Sequence, residues 1–271
     1  MKLLRITILI CLIILGIYIN TYAHVKIGVI DTGFSRKFDF QNMVGEGYNY
    51  VSENTDVTDN IGHGTFVTNI ILKHTKNAEI IPLKCVEKNI YTDPKYLLSA
   101  IYDAVDLFEC DVLNISRSML DTKEIREAID YALDNGVIIV AAAGNDGEFE
   151  YKKDRIYYPA GYDRVVGVGS VDANNVVSSF SQKNSSVFVV ARGEDVYSYT
   201  NDGKYKKDSG TSFSAPYISA VAAMKKSENP DITPDEFKEY LQSITTDLGK
   251  EGYDTEYGHG LINIQNYQFE R

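Results

Sequence analysis

Three side chains in this sequence could together turn a hydroxyl into a nucleophile. Asp31 closes the run Val-Lys-Ile-Gly-Val-Ile-Asp-Thr-Gly, His63 lies in Gly62-His63-Gly64-Thr65, and Ser212 lies in Ser209-Gly210-Thr211-Ser212-Phe213-Ser214-Ala215-Pro216. A serine hydroxyl attacks poorly until an imidazole takes its proton, and the imidazole needs a carboxylate to hold its tautomer and stabilise its charged form. A fourth piece is Ala143-Gly144-Asn145. Its small residues let a substrate chain lie close. The Asn145 amide can donate to an oxyanion, with the backbone N–H of Ser212 at a helix N-terminus as second donor.

Each piece has an ordinary alternative. Asp-Thr-Gly also marks the aspartic proteases, which need a second Asp-Thr-Gly or Asp-Ser-Gly; the expectation is that none is present. A second Gly-His-Gly stands at Gly258-His259-Gly260 with no helix start behind it, so His259 is read as structural. Ser214 sits two residues deeper than Ser212 and directly before Ala215-Pro216, which suits a packing or capping hydroxyl.

The elements that must position these residues alternate along the chain. VKIGVI is a continuous β-branched run, as a parallel strand buried on both faces should be. GTFVTNIILKH reads as a helix, AEIIPLKCV as a strand, PKYLLSAIYDAVDLF as a helix and CDVLNIS as a strand. TKEIREAIDYALDNG is a helix stopped at Asn135-Gly136, followed by the strands VIIVAAAGN, RVVGVGSV and SVFVVA. TSFSAPYISAVAAMKK and TPDEFKEYLQSI complete the helices. This rhythm predicts an α/β fold, a doubly wound and mostly parallel sheet with helices on both faces, spanning 24–271 as one domain. Chemistry in such folds gathers at the carboxyl ends of the strands.

Composition excludes several classes. The 271 residues carry 27 Lys and Arg against 38 Asp and Glu, a formal net charge of −11. A surface of that sign repels phosphate backbones, so no nucleic-acid partner is expected. Cys11, Cys85 and Cys110 form neither a CxxC pair nor a Cys/His cluster, so no metal site is predicted, and Cys85 and Cys110 are expected as buried free thiols rather than a bridge. Residues 1–23 have Lys2 and Arg5, an apolar run and then Thr21-Tyr22-Ala23. That pattern fits an export signal cleaved after Ala23 or a retained N-terminal anchor, and so a secreted protein or one attached to the outer face of the membrane.

The order Asp, His, Ser, with IDTG, GHGTFV, AAAGNDG and SGTSFSAP in sequence, resembles the subtilisin-like serine proteases (subtilases, peptidase family S8). The resemblance extends from Val25 to the C-terminus and includes DVLNIS, YPAGYDRVVGVGSVDANN and YGHGLINIQN. It implies that Asp31, His63 and Ser212 form a catalytic triad, that Asn145 lines the oxyanion hole, and that a peptide is the substrate of a monomeric enzyme. It further implies a substrate-binding wall at Ser116, Arg117 and Ser118, with Ala143, Gly144 and Tyr157 on the other side.

Departures from the family pattern add detail. Ser116-Arg117-Ser118-Met119 stands where the family has a Ser-Leu-Gly-Gly type segment, so Arg117 either points to solvent or favours an acidic residue in the substrate. Tyr157 stands where many members carry Gly, which predicts a shallow or polar primary pocket. The short ILKHTKNAEI segment leaves little room for the insertion that builds a tight calcium site in secreted members, so that site is expected to be missing; loose calcium binding by acidic loops is compatible with the composition, and no required cofactor is expected. No room for a propeptide domain lies between Ala23 and Val25. That absence and the altered wall favour limited processing of a secreted peptide or precursor over general degradation. A silent peptide-binding relative, and an amidase or esterase, are the weaker alternatives.

Overall fold

The computed structural model describes residues 24–262 except 40, 41, 77, 88–92, 150 and 153. The leader and Cys11 lie outside the described residues.

Seven strands form a parallel sheet in the order β2-β3-β1-β4-β5-β6-β7. They are β1 (Val25–Asp31), β2 (Tyr48–Asn49), β3 (Ala78–Lys84), β4 (Val112–Ile115), β5 (Ile138–Ala142), β6 (Val166–Val171) and β7 (Val189–Arg192). A separate antiparallel hairpin pairs β8 (Val196–Tyr199) with β9 (Tyr205–Asp208). Alternate residues of the strands feed two cores, because side chains of a strand point to opposite faces in turn. Ile27, Val29, Val140 and Val168 pack with α1 (His63–His74), α4 (Thr211–Glu228) and α5 (Pro234–Ile244). Ile30, Leu113, Ile115, Ile139 and Ala141 pack with α2 (Pro94–Asp106) and α3 (Lys123–Asp134) on the other face. Helices therefore cover both faces, as the alternating pattern predicts.

Capping signals at the helix ends work as expected. Thr122 caps α3 and Gly136, at φ 82°, follows its end. Thr233 and Glu236 form a reciprocal capping box at α5, behind Pro234 in the first turn. Cys85 and Cys110 are buried free thiols. Among the described residues no group of three or more His, Cys, Asp or Glu side chains is placed to hold a metal ion, and no helix is long and apolar enough to cross a membrane.

The register puts the chemistry-bearing strand ends side by side. Asp31 of β1 pairs with Lys84 of β3, and Ile30 pairs with Ile115 of β4, one residue before Ser116. Asn145 follows the end of β5. The starts of α1 and α4, which carry His63 and Ser212, face this same edge.

Candidate active site

Asp31 is fully buried at the end of β1, and His63 is the first residue of α1. The His63 Nδ1 lies 2.7 Å from Asp31 Oδ1 and 2.9 Å from Oδ2. An ionised carboxylate only accepts, so Nδ1 carries the proton, and in the neutral ring Nε2 is left as an acceptor. The Thr32 N–H also donates to Oδ1, at 2.7 Å. Burial pushes the Asp31 carboxyl upward, but the His63 ring, the Arg117 guanidinium and the Thr32 N–H outweigh it and hold it below the usual carboxylate range. The acid thus stays ionised, as an orienting partner of an imidazole must.

A second acid, missed in the sequence reading, holds this geometry. Asp59 is buried four residues before His63. Its carboxylate accepts from the Thr32 hydroxyl at 2.9 Å, the N–H groups of Ile61 and Gly62 at 2.9 and 2.8 Å, and both N–H and hydroxyl of Thr65 at 2.8 and 2.7 Å. Thr32 Oγ1 in turn accepts the Gly64 N–H at 2.8 Å. The segments carrying Asp31 and His63 are thereby locked together. The readable signal was an Asp just ahead of a Gly-His-Gly at a helix start. Asp59→Ala leaves several buried donors without an acceptor and is expected to cost about 3 kcal/mol of stability in denaturant unfolding.

Ser212 sits in the first turn of α4 under a different constraint. Pro216 has no N–H to give the Ser212 carbonyl its helical hydrogen bond. The Ser116 hydroxyl supplies it instead, at 3.0 Å. Ser116 Oγ accepts from Asn114 Nδ2 at 3.0 Å, and Asn114 Oδ1 accepts from the Ser219 hydroxyl at 2.9 Å, closing a buried chain from β4 to α4 two turns further on. Phe213 places its ring against both Phe66 and His63, with centroids 4.5 and 5.4 Å away, which seats the start of α4 beside the imidazole. The Ser212 hydroxyl itself donates to the Ser116 carbonyl at a long 3.4 Å, and among the described residues no hydrogen bond joins it to His63. Such contacts are commonly loose in the absence of substrate. Ser214 is buried and its hydroxyl has no partner among the described residues, so it packs but does not cap.

Asn145 is oriented by Thr211. The Asn145 carbonyl oxygen accepts from the Thr211 N–H at 2.8 Å and from its hydroxyl at 2.9 Å. That fixes which end of the amide is which and leaves Nδ2 on the Gly210 side, where an added Cβ would stand 3.4 Å from it. The Thr211 hydroxyl also accepts the Gly144 N–H at 3.1 Å. Gly144 has φ 116°, and a Cβ there would strike the Tyr157 ring and Gln182, so glycine is required twice over.

The expected substrate wall is a connected structure. Met119 and Tyr158 exchange backbone hydrogen bonds at 2.9 and 3.0 Å, tying the Ser116–Met119 segment to Tyr157. Ala143 is buried, Ser118 is exposed, and the Tyr157 hydroxyl donates to the Asp146 carboxylate while its ring lies against Gly144. Arg117 does not point to solvent: its side chain is 14% exposed and Nη2 lies 3.7 Å from Asp31 Oδ1. The sequence does carry a second triplet of the aspartic-protease type, Asp208-Ser209-Gly210. Asp208 is exposed at the end of β9 and accepts from the Ser209 N–H, whereas the Asp31 carboxylate faces His63 and Arg117. His259 is structural, set between Phe188 and Tyr253 at 4.7 and 5.2 Å, and burial together with Lys238 lowers its pKa.

Known proteins resemble this chain over most of its length. The family model described as the subtilase family matches residues 23–260. Subtilisin DY of Bacillus licheniformis is 33% identical over 253 residues, covering 90% of this chain and 90% of that protein. The minor extracellular protease Epr of Bacillus subtilis (strain 168) is 33% identical over 255 residues; the match covers 90% of this chain but 38% of Epr. The crystal structure of a cold adapted subtilisin-like serine proteinase superposes with a TM-score of 0.76 at 27% identity, covering 90% of this chain and 88% of that one. The chain belongs to the subtilase family and is a serine endopeptidase.

Proposed function

We propose that Asp31, His63 and Ser212 are the catalytic triad, and that the enzyme performs limited processing of a secreted peptide or precursor. The observation that carries the triad is the double contact of His63 Nδ1 with the buried Asp31 carboxylate, beside a helix start bearing Ser212.

In this mechanism the Ser212 hydroxyl turns from the Ser116 carbonyl toward His63 Nε2. The ring takes the proton as Oγ forms its bond to the scissile carbonyl carbon. The charge that develops on the carbonyl oxygen is met by Asn145 Nδ2 and by the Ser212 N–H, which has no acceptor among the described residues. Collapse of the intermediate breaks the C–N bond, and His63 returns the proton to the leaving amine. Water then repeats the sequence on the acyl-enzyme, with His63 first base and then acid. Asn145→Ala is expected to lower kcat by roughly 10²–10³ with KM little changed, measured on a chromogenic peptide.

Limited processing is supported by the wall. The Tyr157 ring lies against Gly144 and is tethered through its hydroxyl to Asp146, a fixed bulky wall that favours a restricted choice of substrate. Peptide-library profiling tests this reading: cleavage confined to a narrow sequence class supports processing, and broad cleavage supports general degradation. Export is supported by the leader composition of residues 1–23 and by the extracellular relative. Sequencing the N-terminus of the protein recovered from culture medium is expected to begin at His24; a membrane-bound product beginning at Met1 would establish an anchor.

A further inference from the structure

Tyr157 is held from behind by residues that lie outside the substrate wall. Gln182, between β6 and β7, is fully buried. Its backbone N–H donates to the Gly144 carbonyl at 3.1 Å, one residue before Asn145. Its side-chain Nε2 donates to two carbonyl groups of the turn ahead of Tyr157, that of Lys152 at 3.1 Å and that of Arg155 at 2.7 Å. Both partners only accept, so the end of the amide that faces them is the NH2 group. Oε1 is buried with no partner among the described residues, so the amide serves that turn alone. Asn184 adds a second donor to the Arg155 carbonyl, at 2.8 Å, and its own Oδ1 is held by the Ser186 N–H and hydroxyl at 2.9 and 2.7 Å.

These contacts converge on Gly144. A Cβ added there would stand 2.8 Å from the Tyr157 ring and 3.0 Å from Gln182 Cγ, so both side chains pack where glycine has none. The short strap from Arg155 to Tyr158 is fixed at both ends, by Gln182 and Asn184 at Arg155 and by Met119 at Tyr158. Tyr157 lies between the two anchors. Its hydroxyl tether to Asp146 fixes the tip of the ring, whereas Gln182 fixes the backbone that carries it.

We propose that Gln182 is a positioning residue that sets the place of the Tyr157 ring beside Gly144, and so makes the enzyme select small side chains over large ones in the substrate residue before the scissile bond. This rests on the triad and wall of the proposed function. A pocket discriminates by size only if its wall cannot retreat, because a wall that gives way admits the larger side chain. Even one methylene of space in an apolar pocket is worth about 10–200-fold in kcat/KM. Three hydrogen bonds from two buried amides keep this wall from retreating.

The test compares kcat/KM on two peptides that differ only in the residue before the scissile bond, alanine in one and phenylalanine in the other. The enzymes are the wild type, Gln182→Met, Tyr157→Ala and the double variant; methionine keeps the volume of glutamine and removes its donor group. The wild type is expected to prefer the alanine peptide, and Gln182→Met to reduce that preference about tenfold, chiefly through a lower KM for the phenylalanine peptide. Tyr157→Ala should reduce it at least as far, and the double variant no further than Tyr157→Ala alone, since both changes act through one ring. A wild type that prefers phenylalanine overturns the proposal, as does an unchanged preference in Gln182→Met. A double variant whose loss is the product of the two single losses also overturns it, because Gln182 would then act independently of the ring. If Gln182→Met does not fold, judged by circular dichroism, Asn184→Asp makes the same comparison: it removes the second donor on Arg155 and keeps the oxygen that Ser186 holds. The triad reading fails separately: it falls if Ser212→Ala hydrolyses the alanine peptide at the wild-type rate, whatever the preference.

Discussion

Ser212→Ala is expected to lower turnover of a peptide by about six orders of magnitude, with the fold unchanged. Six orders is the loss that removing the serine or histidine of a subtilisin triad causes, and the residual rate comes from the oxyanion donors and binding. The structure gives reason to expect that loss to be purely chemical. Among the described residues the Ser212 side chain makes one long hydrogen bond, to the Ser116 carbonyl at 3.4 Å. The start of α4 is held by other groups: the Ser116 hydroxyl on the Ser212 carbonyl, Thr211 on Asn145, and the packed Phe213 ring. None of these is lost in alanine, which is also the better helix former. Stability should stay within about 0.5 kcal/mol of the wild type. His63→Ala should cost a similar factor in kcat. Peptide hydrolysis under single-turnover conditions, alongside thermal unfolding of each variant, checks both halves of the expectation.

The second large effect is at Asp31. Asp31→Asn is expected to lower kcat by about 10⁴ while leaving KM nearly unchanged. Asparagine is close in shape, but its amide can donate where the carboxylate accepts both Nδ1 contacts. The favoured ring tautomer then places its proton on Nε2, facing Ser212, where it cannot accept the hydroxyl proton. A second consequence follows from the neighbours. Arg117 loses its ion pair with Asp31 in a largely buried position, so stability should also fall, by about 1–3 kcal/mol. Burial resists ionisation of Asp31, and it stays charged only because His63, Arg117 and Thr32 together overcome that resistance. Denaturant unfolding of Asp31→Asn, Arg117→Met and the double variant separates the two consequences: the double variant should lose less stability than the two single variants together, without recovering activity.

Most of the scaffold was legible because its strands are buried on both faces. Such strands read as unbroken β-branched runs, and VKIGVI and VIIVAA are instances that became β1 and β5. What escaped was short or exposed. Two-residue β2 has no periodicity to read. The β8-β9 hairpin has β9 wholly exposed, although Asp202-Gly203 between its strands was a usable turn signal. In the site, residue types announced Asp31, His63, Ser212 and Asn145, because each needs a particular functional group at a strand or helix end. The groups that orient them did not announce themselves. Asp59, Thr32, Thr211 and Asn114 act through hydrogen bonds between segments distant in sequence, and a lone Asp or Thr in a loop has many other uses. The direction of Arg117 was equally unreadable, since a long side chain can turn either to solvent or under the wall, and only the packed neighbours decide.

The most direct test of the central claim is to treat the protein with a fluorophosphonate and locate the adduct by peptide mass spectrometry. The account predicts one modified residue, Ser212, in wild type and in Asn145→Ala, no labelling of Ser212→Ala, and strongly slowed labelling of His63→Ala. An adduct on another serine, or a wild-type protein that takes up no label while folded, would contradict it.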